Sequence, residues 1–175
     1  ICFHRYNPET NKIIGDAFPS KGLKNYLDFF NKNIVGDKVH LQHSRIMKNI
    51  HINLFPNEKA QVPSRIFYKI CKANVLFVND CLVSCIYRKE GLTENETLYR
   101  YQAINNTSDT YLTIINTEGI KNWLKWRSLI NYYRFNSIRK TPIQNNYEFI
   151  FKVIGKIYFF NDFLRNKRLR EYLQN

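Results

Sequence analysis

Two apolar runs in close succession constrain this chain most: NVLFVN at 74–79 and LVSCIYR at 82–88. Both are rich in Val, Leu, Ile and Phe, and both are far too short to span a bilayer. Runs of this length bounded by polar residues read as buried strands, so a sheet is expected near the middle of the chain. A third strand, SRIFYKI (64–70), is expected just before them, led by Pro63, with Ile66, Tyr68 and Ile70 on one face at a period of two. The opening ICFHRY also reads as a strand, and NPETNK after it as a turn, with Pro8 following Asn7. TLYRYQAI (97–104) and TYLTII (110–115) predict two more strands, with GLTENE (91–96) turning the chain before them. YEFIFKVI (147–154) and KIYFF (156–160) predict a hairpin about Gly155.

Helical spacing occurs in three places. SKGLKNYLDFFNKN (20–33) places Leu23, Tyr26, Leu27 and Phe30 on one side, with Ser20 able to cap. EGIKNWLKWRSLINYYRFN (118–136) carries a stripe of Trp123, Trp126, Ile130 and Tyr133. NDFLRNKRLREYLQN (161–175) predicts a basic terminal helix capped by Asn161 or Asp162. Gly36 to Gln61 has no clean period and reads as strand or irregular loop. There is no internal repeat or long linker. The mixed order predicts one α+β domain over 1–175, with a mixed, mainly antiparallel sheet and flanking helices.

Charge narrows the function classes. The chain carries 27 Lys and Arg against 14 Asp and Glu, a formal net charge of +13. Such an excess favours a polyanionic partner: nucleic acid, anionic lipid or a sulfated glycan. No apolar run is long enough for a transmembrane helix. Cysteines stand at 2, 71, 81 and 85. An even count without a C-x-x-C spacing argues against a zinc ribbon and permits two disulfides. Cys81 and Cys85 are too far apart to bond each other along one extended strand. Sequons at Asn95, Asn105 and Asn106 permit glycosylation in a secreted chain.

Val62, Pro63, Phe67, Tyr68 and Lys69, the Asn-ended run NVLFVN and the turn holding Cys81 and Cys85 together resemble the ββα-metal DNA/RNA non-specific endonucleases, and most closely their secreted insect members. TYLTIINTEGIKNWL (110–124), with Glu118 and Gly119, resembles that family's strand leading into a helix, and ICF resembles an early strand. The resemblance covers roughly 62–124 and the first few residues. It implies a nuclease-like scaffold, secretion, disulfides and, in an active member, a magnesium ion. The family's chemistry requires an Asp-Arg-Gly-His run whose His is the general base, and a helix presenting Asn to the metal, with Glu nearby. Here the nearest match is DKVHL (37–41): His40 stands in the base position, but Lys38 and Val39 replace Arg and Gly. Asn53 or Asn57 is the nearest ligand remnant, and the metal-bearing helix has no counterpart before Val62. The resemblance therefore implies a degenerate active site, as in basic salivary nuclease-like proteins of blood-feeding flies such as tsetse.

Three functions follow from this reading. One is nucleic-acid binding, to DNA or RNA through the phosphate backbone, with lost or weak phosphodiesterase activity. Another is binding of a different polyanion or a host protein. The third is an active metal-dependent endonuclease using His40. The candidate nucleic-acid contacts are His43, Arg45, Lys48, Arg65 and Lys69, and farther on Arg127, Arg134, Arg139 and Lys140. The 121–140 stretch holds six basic residues and no acid, interleaved with aromatics that suit stacking or core packing. His40, His43 and His51 are read as residues of a basic surface rather than as a metal site, because no carboxylate or Cys accompanies them at ligand spacing. Glu118 reads as a helix-start carboxylate, and Arg165, Lys167, Arg168 and Arg170 as partners of a helix C-terminus.

Overall fold

The computed structural model describes residues 1–19, 21–58, 64–86, 95–138 and 146–174. Ser20, Val62, Pro63, most of the GLTENE turn, Arg139 and Lys140 lie outside these residues. The fold class is α+β, and the chain forms two compact units: residues 1–52 with 66–89, and 53–65 with 90–175.

The first unit is built on strands β1 (Cys2–Asn7), β2 (Lys12–Ile13), β3 (Gly22–Asn25), β4 (Lys38–His40) and β5 (Asn74–Ser84). Their order is β2-β1-β5-β3, with β4 beside β1. β1 runs antiparallel to β2 and β4 and parallel to β5, while β3 and β5 are antiparallel. The expected opening strand and turn are present. The two central apolar runs are not separate strands: β5 is continuous to Ser84, paired with β3 over 74–77 and with β1 from Phe77 to Ser84. Its core side buries Val75 and Phe77. They join Cys2, Phe18, Tyr26, Ile70 and Cys71 in one cluster, flanked by Phe29, Phe30 and Phe67.

β5 is irregular where it passes β1. Phe3 is paired with Val78 but His4 with Cys81, so Asn79 and Asp80 are extra residues on β5. A bulge of this kind turns a side chain that would otherwise alternate outward. Here Asn79 points to the core and meets His4 and Phe18. Gly15 and Gly36 make a second close approach, with φ of +79° and +98°. A Cβ on Gly15 would lie 2.2 Å from the Val35 carbonyl oxygen, so only glycine fits there.

Two expectations fail around this sheet. The helix expected over 20–33 is confined to α1 (Tyr26–Asn31). Residues 22–25 pair with β5 instead, and Asn25 is the cap, its side chain accepting from the Asp28 N–H at 3.0 Å. SRIFYKI is a helix, α3 (Ser64–Lys69), rather than a strand. A proline immediately ahead of it suits a first helical turn as well as a strand start. The ambiguous region holds β4 and a short helix, α2 (Ser44–Lys48).

The second unit contains helices α4 (Glu96–Gln102), α5 (Ile104–Asn116), α6 (Asn122–Phe135), α7 (Asn146–Arg165) and α8 (Lys167–Gln174). Only α6 and a terminal helix were expected, and the terminal helix starts at Lys167: Asn161 and Asp162 lie within α7, and Asn166 accepts from the Leu169 N–H at 3.0 Å in place of the expected cap. Residues 97–102 of TLYRYQAI are in α4, where Tyr101 is fully buried and Glu96 accepts from Arg100 one turn on. TYLTII is in α5, whose hydroxyls bond back one turn: Ser108 to the Ile104 carbonyl, Thr110 to Asn106 and Thr113 to Asp109. Those bonds satisfy polar groups that otherwise disfavour a helix interior. α5 also borrows its N-terminal partner. Glu58 accepts from the backbone N–H groups of Asn105 and Asn106 at 2.6 and 2.8 Å, placing a carboxylate at the positive end of the helix.

The expected hairpin about Gly155 is one uninterrupted helix, α7. Gly155 faces α6, and a Cβ there would meet the Arg134 nitrogen at 2.8 Å and the Ile130 oxygen at 2.9 Å. The glycine thus lets two helices approach closely and does not mark a turn. α6 is rotated from its expected orientation. It buries Leu124, Ser128, Tyr133 and Phe135, while Trp126 is 55% exposed. α6 packs against both α5 and α7, and Ser128 is among its buried residues. Tyr101, Phe135 and Leu169 centre this core, with Tyr111 and Phe159 against them.

Candidate functional site

His40, the expected general base, lies on β4 beside Cys2 of β1. Its Nδ1 is 3.0 Å from the Tyr26 hydroxyl, and its ring packs on Phe67 at 4.1 Å between centroids. Burial pushes its pKa down to about 4, and nearby positive groups, Arg5 and Lys38 among them, push the same way. A general base works best with a pKa near the operating pH, so this ring is a weak one. Burial also raises the Tyr26 hydroxyl to about 12, so it is a neutral phenol at neutral pH.

The flanking substitutions have structural occupations. Lys38 is buried, and its Nζ donates to the carbonyls of Ile14, Asp16 and Val35 at 3.3, 2.8 and 3.2 Å. It ties the β2–β3 connection to β4 and does not reach outward as a phosphate-binding arginine would. Val39 pairs with Phe3 in the ladder. Asn53 donates to Asp109 at 3.2 Å, in the second unit. Among the described residues, no group of three or more His, Cys, Asp or Glu could hold a metal ion.

A buried polar row on the same sheet was missed in the sequence. His4 is fully buried; its Nε2 is 2.8 Å from Asn79 Oδ1, and its ring stacks on Phe18 at 4.3 Å. Burial lowers its pKa, so it is neutral at neutral pH. The signal for it was the alternation of Cys2, His4 and Tyr6 on one face of ICFHRY. What could not be read was the bulge that brings Asn79 to meet it. The four cysteines are free thiols, Cys2 and Cys71 buried and Cys81 and Cys85 half-buried. Burial raises the Cys2 thiol to about 12, which leaves it unreactive.

The expected phosphate contacts divide into surface and core. His43, Arg45 and Lys48 are exposed on or beside α2. His43 caps that helix, its Nδ1 accepting from the Arg45 N–H at 3.2 Å. Lys69 is exposed on α3 and donates to the His51 carbonyl at 2.5 Å. Arg127 is exposed on α6. Arg65 is different: it is 1% exposed and bonds Asp109 at 2.6 Å and the Asn53 carbonyl at 2.9 Å. Arg134 grips Asp162 with two bonds of 2.6 and 2.7 Å, and Tyr101 donates to the same carboxylate at 3.0 Å. Both arginines hold the second unit together, so neither belongs to a phosphate-facing surface. Arg139 and Lys140 lie outside the described residues.

Other expectations also find structural explanations. Glu118 lies in the turn before α6, beside Gly119 at φ +78°, and not in the helix's first turn. Asn106 of the third sequon is fully buried, which closes that position to a glycan in the folded chain. Arg170 donates to the Phe163 and Leu164 carbonyls, serving the C-terminus of α7. No protein-family description, curated protein or solved structure matches this chain.

Proposed function

We propose that this protein binds DNA or RNA through the phosphate backbone without cleaving it. The observation that carries the reading is the 41–57 segment, which contains no acidic residue but holds His43, Arg45, Lys48 and His51, all exposed. Within it, Arg45 and Lys48 are exposed and three residues apart, so they share a face of α2. Such a face attracts phosphates without regard to sequence, and the net charge of +13 adds a long-range field of the same sign. In this reading the likeness to the ββα-metal nucleases is one of scaffold, carried by β5 and the β1–β4 pair around His40, and secretion is part of the same proposal. The likeness narrows at α3, where Phe67, Tyr68 and Lys69 are helical. His40 serves packing, held between Tyr26 and Phe67.

The test replaces Arg45, Lys48 and Arg127 together by Ala and titrates labelled DNA and RNA across a series of salt concentrations. Removing one phosphate-binding cation lowers the slope of log K against log salt by about one unit. An unchanged slope would remove the α2 cations and Arg127 from phosphate binding.

A further inference from the structure

Helix α7 is apolar on the side that faces solvent. Its inward side is fixed by Gly155, packed on α6, and by Asp162, bonded to Arg134 and Tyr101. Ile150, Val153, Ile157, Phe160 and Leu164 are all exposed, Ile157 at 64% and Phe160 at 60%. At about 100° per residue, these five fall within an arc of about 80°, opposite Gly155 and Asp162. Phe149, also exposed, extends the arc on one side. An apolar stripe normally turns to a core, so one turned outward marks a contact surface.

The charges beside the stripe indicate what covers it. Lys156 borders it on one side and Arg165 on the other, both exposed. Asp162, the one acid among the described side chains of α7, is turned inward and neutralised by Arg134. Beyond it, α8 exposes Arg168 and an ion pair between Lys167 and Glu171. α7 carries too many charges to cross a bilayer, and no described helix is long and apolar enough to do so. An apolar strip with cations on both flanks suits a helix lying at the headgroup boundary, where apolar groups enter the acyl region and Lys and Arg meet phosphates.

We propose that the outer face of α7 docks on an anionic lipid surface. The site is distinct from the α2 cations and goes beyond the nucleic-acid reading. A second copy of the chain on the same face would place cationic borders against each other, and the charge pattern disfavours it.

The test is flotation of the full chain with vesicles of phosphatidylcholine alone or of phosphatidylcholine with phosphatidylserine. The comparison variants are Ile157→Ala/Phe160→Ala, in which alanine preserves helix propensity, and Lys156→Ser/Arg165→Ser. The parent should float with the anionic vesicles and bind neutral ones at least tenfold more weakly. The alanine pair should bind anionic vesicles at least tenfold more weakly than the parent while its DNA titration stays unchanged. The serine pair should bind less and show a shallower salt dependence. No binding to either vesicle, or binding that the alanine pair leaves intact, would overturn the proposal. So would a concentration-dependent dimer in sedimentation that the alanine pair dissolves, which would assign the face to a second copy.

Discussion

Arg134 shows how a residue's role turns on its neighbours rather than its charge. Read along the chain it is one of a basic run; in the folded unit it neutralises Asp162, whose carboxylate is buried together with the Tyr101 hydroxyl. Arg134→Ala would leave that carboxylate buried and unpaired, a change that costs about 3–5 kcal/mol. Urea unfolding of the variant should show a loss of that order. A loss within about 0.5 kcal/mol, as at ordinary surface positions, would return Arg134 to the surface cations. His40 gives a pH-dependent counterpart. Its pKa falls from 6.5 to about 4 on folding, so between those values the unfolded chain binds more protons. Its contribution is therefore complete above about 6.5 and is lost as pH falls toward about 4. His4 is shifted in the same direction. In His40→Gln the stability lost between pH 7 and pH 4.5 should shrink by on the order of 1–3 kcal/mol. An identical acid limb in parent and variant would contradict the half-buried placement of His40 against Tyr26 and Phe67. The candidate residues were legible as residue types, but their partners were not. Lys38, Arg65 and Arg134 each have partners distant in sequence, and local spacing carries no trace of them.

At the scale of elements, β1 and β5 were legible, as were α6 and parts of α1 and α8, while five expected strands are helical. The apolar run of β5 is short, dense and carries three valines, and tertiary context had little to overrule. The helical unit was misread because its sequence is full of Thr, Ile, Tyr and Phe, which favour strands by propensity. In α5, back-bonded hydroxyls remove the cost that would have opposed a helix. In α7 both faces are apolar, so no amphipathic period stood out. Gly155 then looked like a turn, although its function is to let α6 approach. Gly155→Ala weighs a helix-propensity gain of about 1 kcal/mol against backbone contacts under 3.0 Å that flexible side chains cannot relieve. The close approach should win, with a net destabilisation of about 1–3 kcal/mol. A variant that melts higher than the parent would mean that α6 and α7 are less closely packed than described.

For the molecule as a whole, charge was the most durable reading, since net charge needs no fold to be counted. It speaks of partners and solubility, and the fold assigns it to places. α2 collects exposed cations on the sheet-containing unit, and the cations of α7 border an apolar strip on the helical unit. The catalytic alternative requires a base with a useful pKa and a metal-binding group beside it. His40 is too acidic for the first, and its flanking Lys38 is committed to three carbonyls. The measurement that bears most directly on this account is a titration of end-labelled DNA and RNA with magnesium present, across salt, followed by recovery of the nucleic acid on a denaturing gel. The account predicts binding that weakens linearly in log K with log salt, and recovered strands of full length. Absence of binding at low salt, or cleavage by the parent that disappears in His40→Ala, would contradict it.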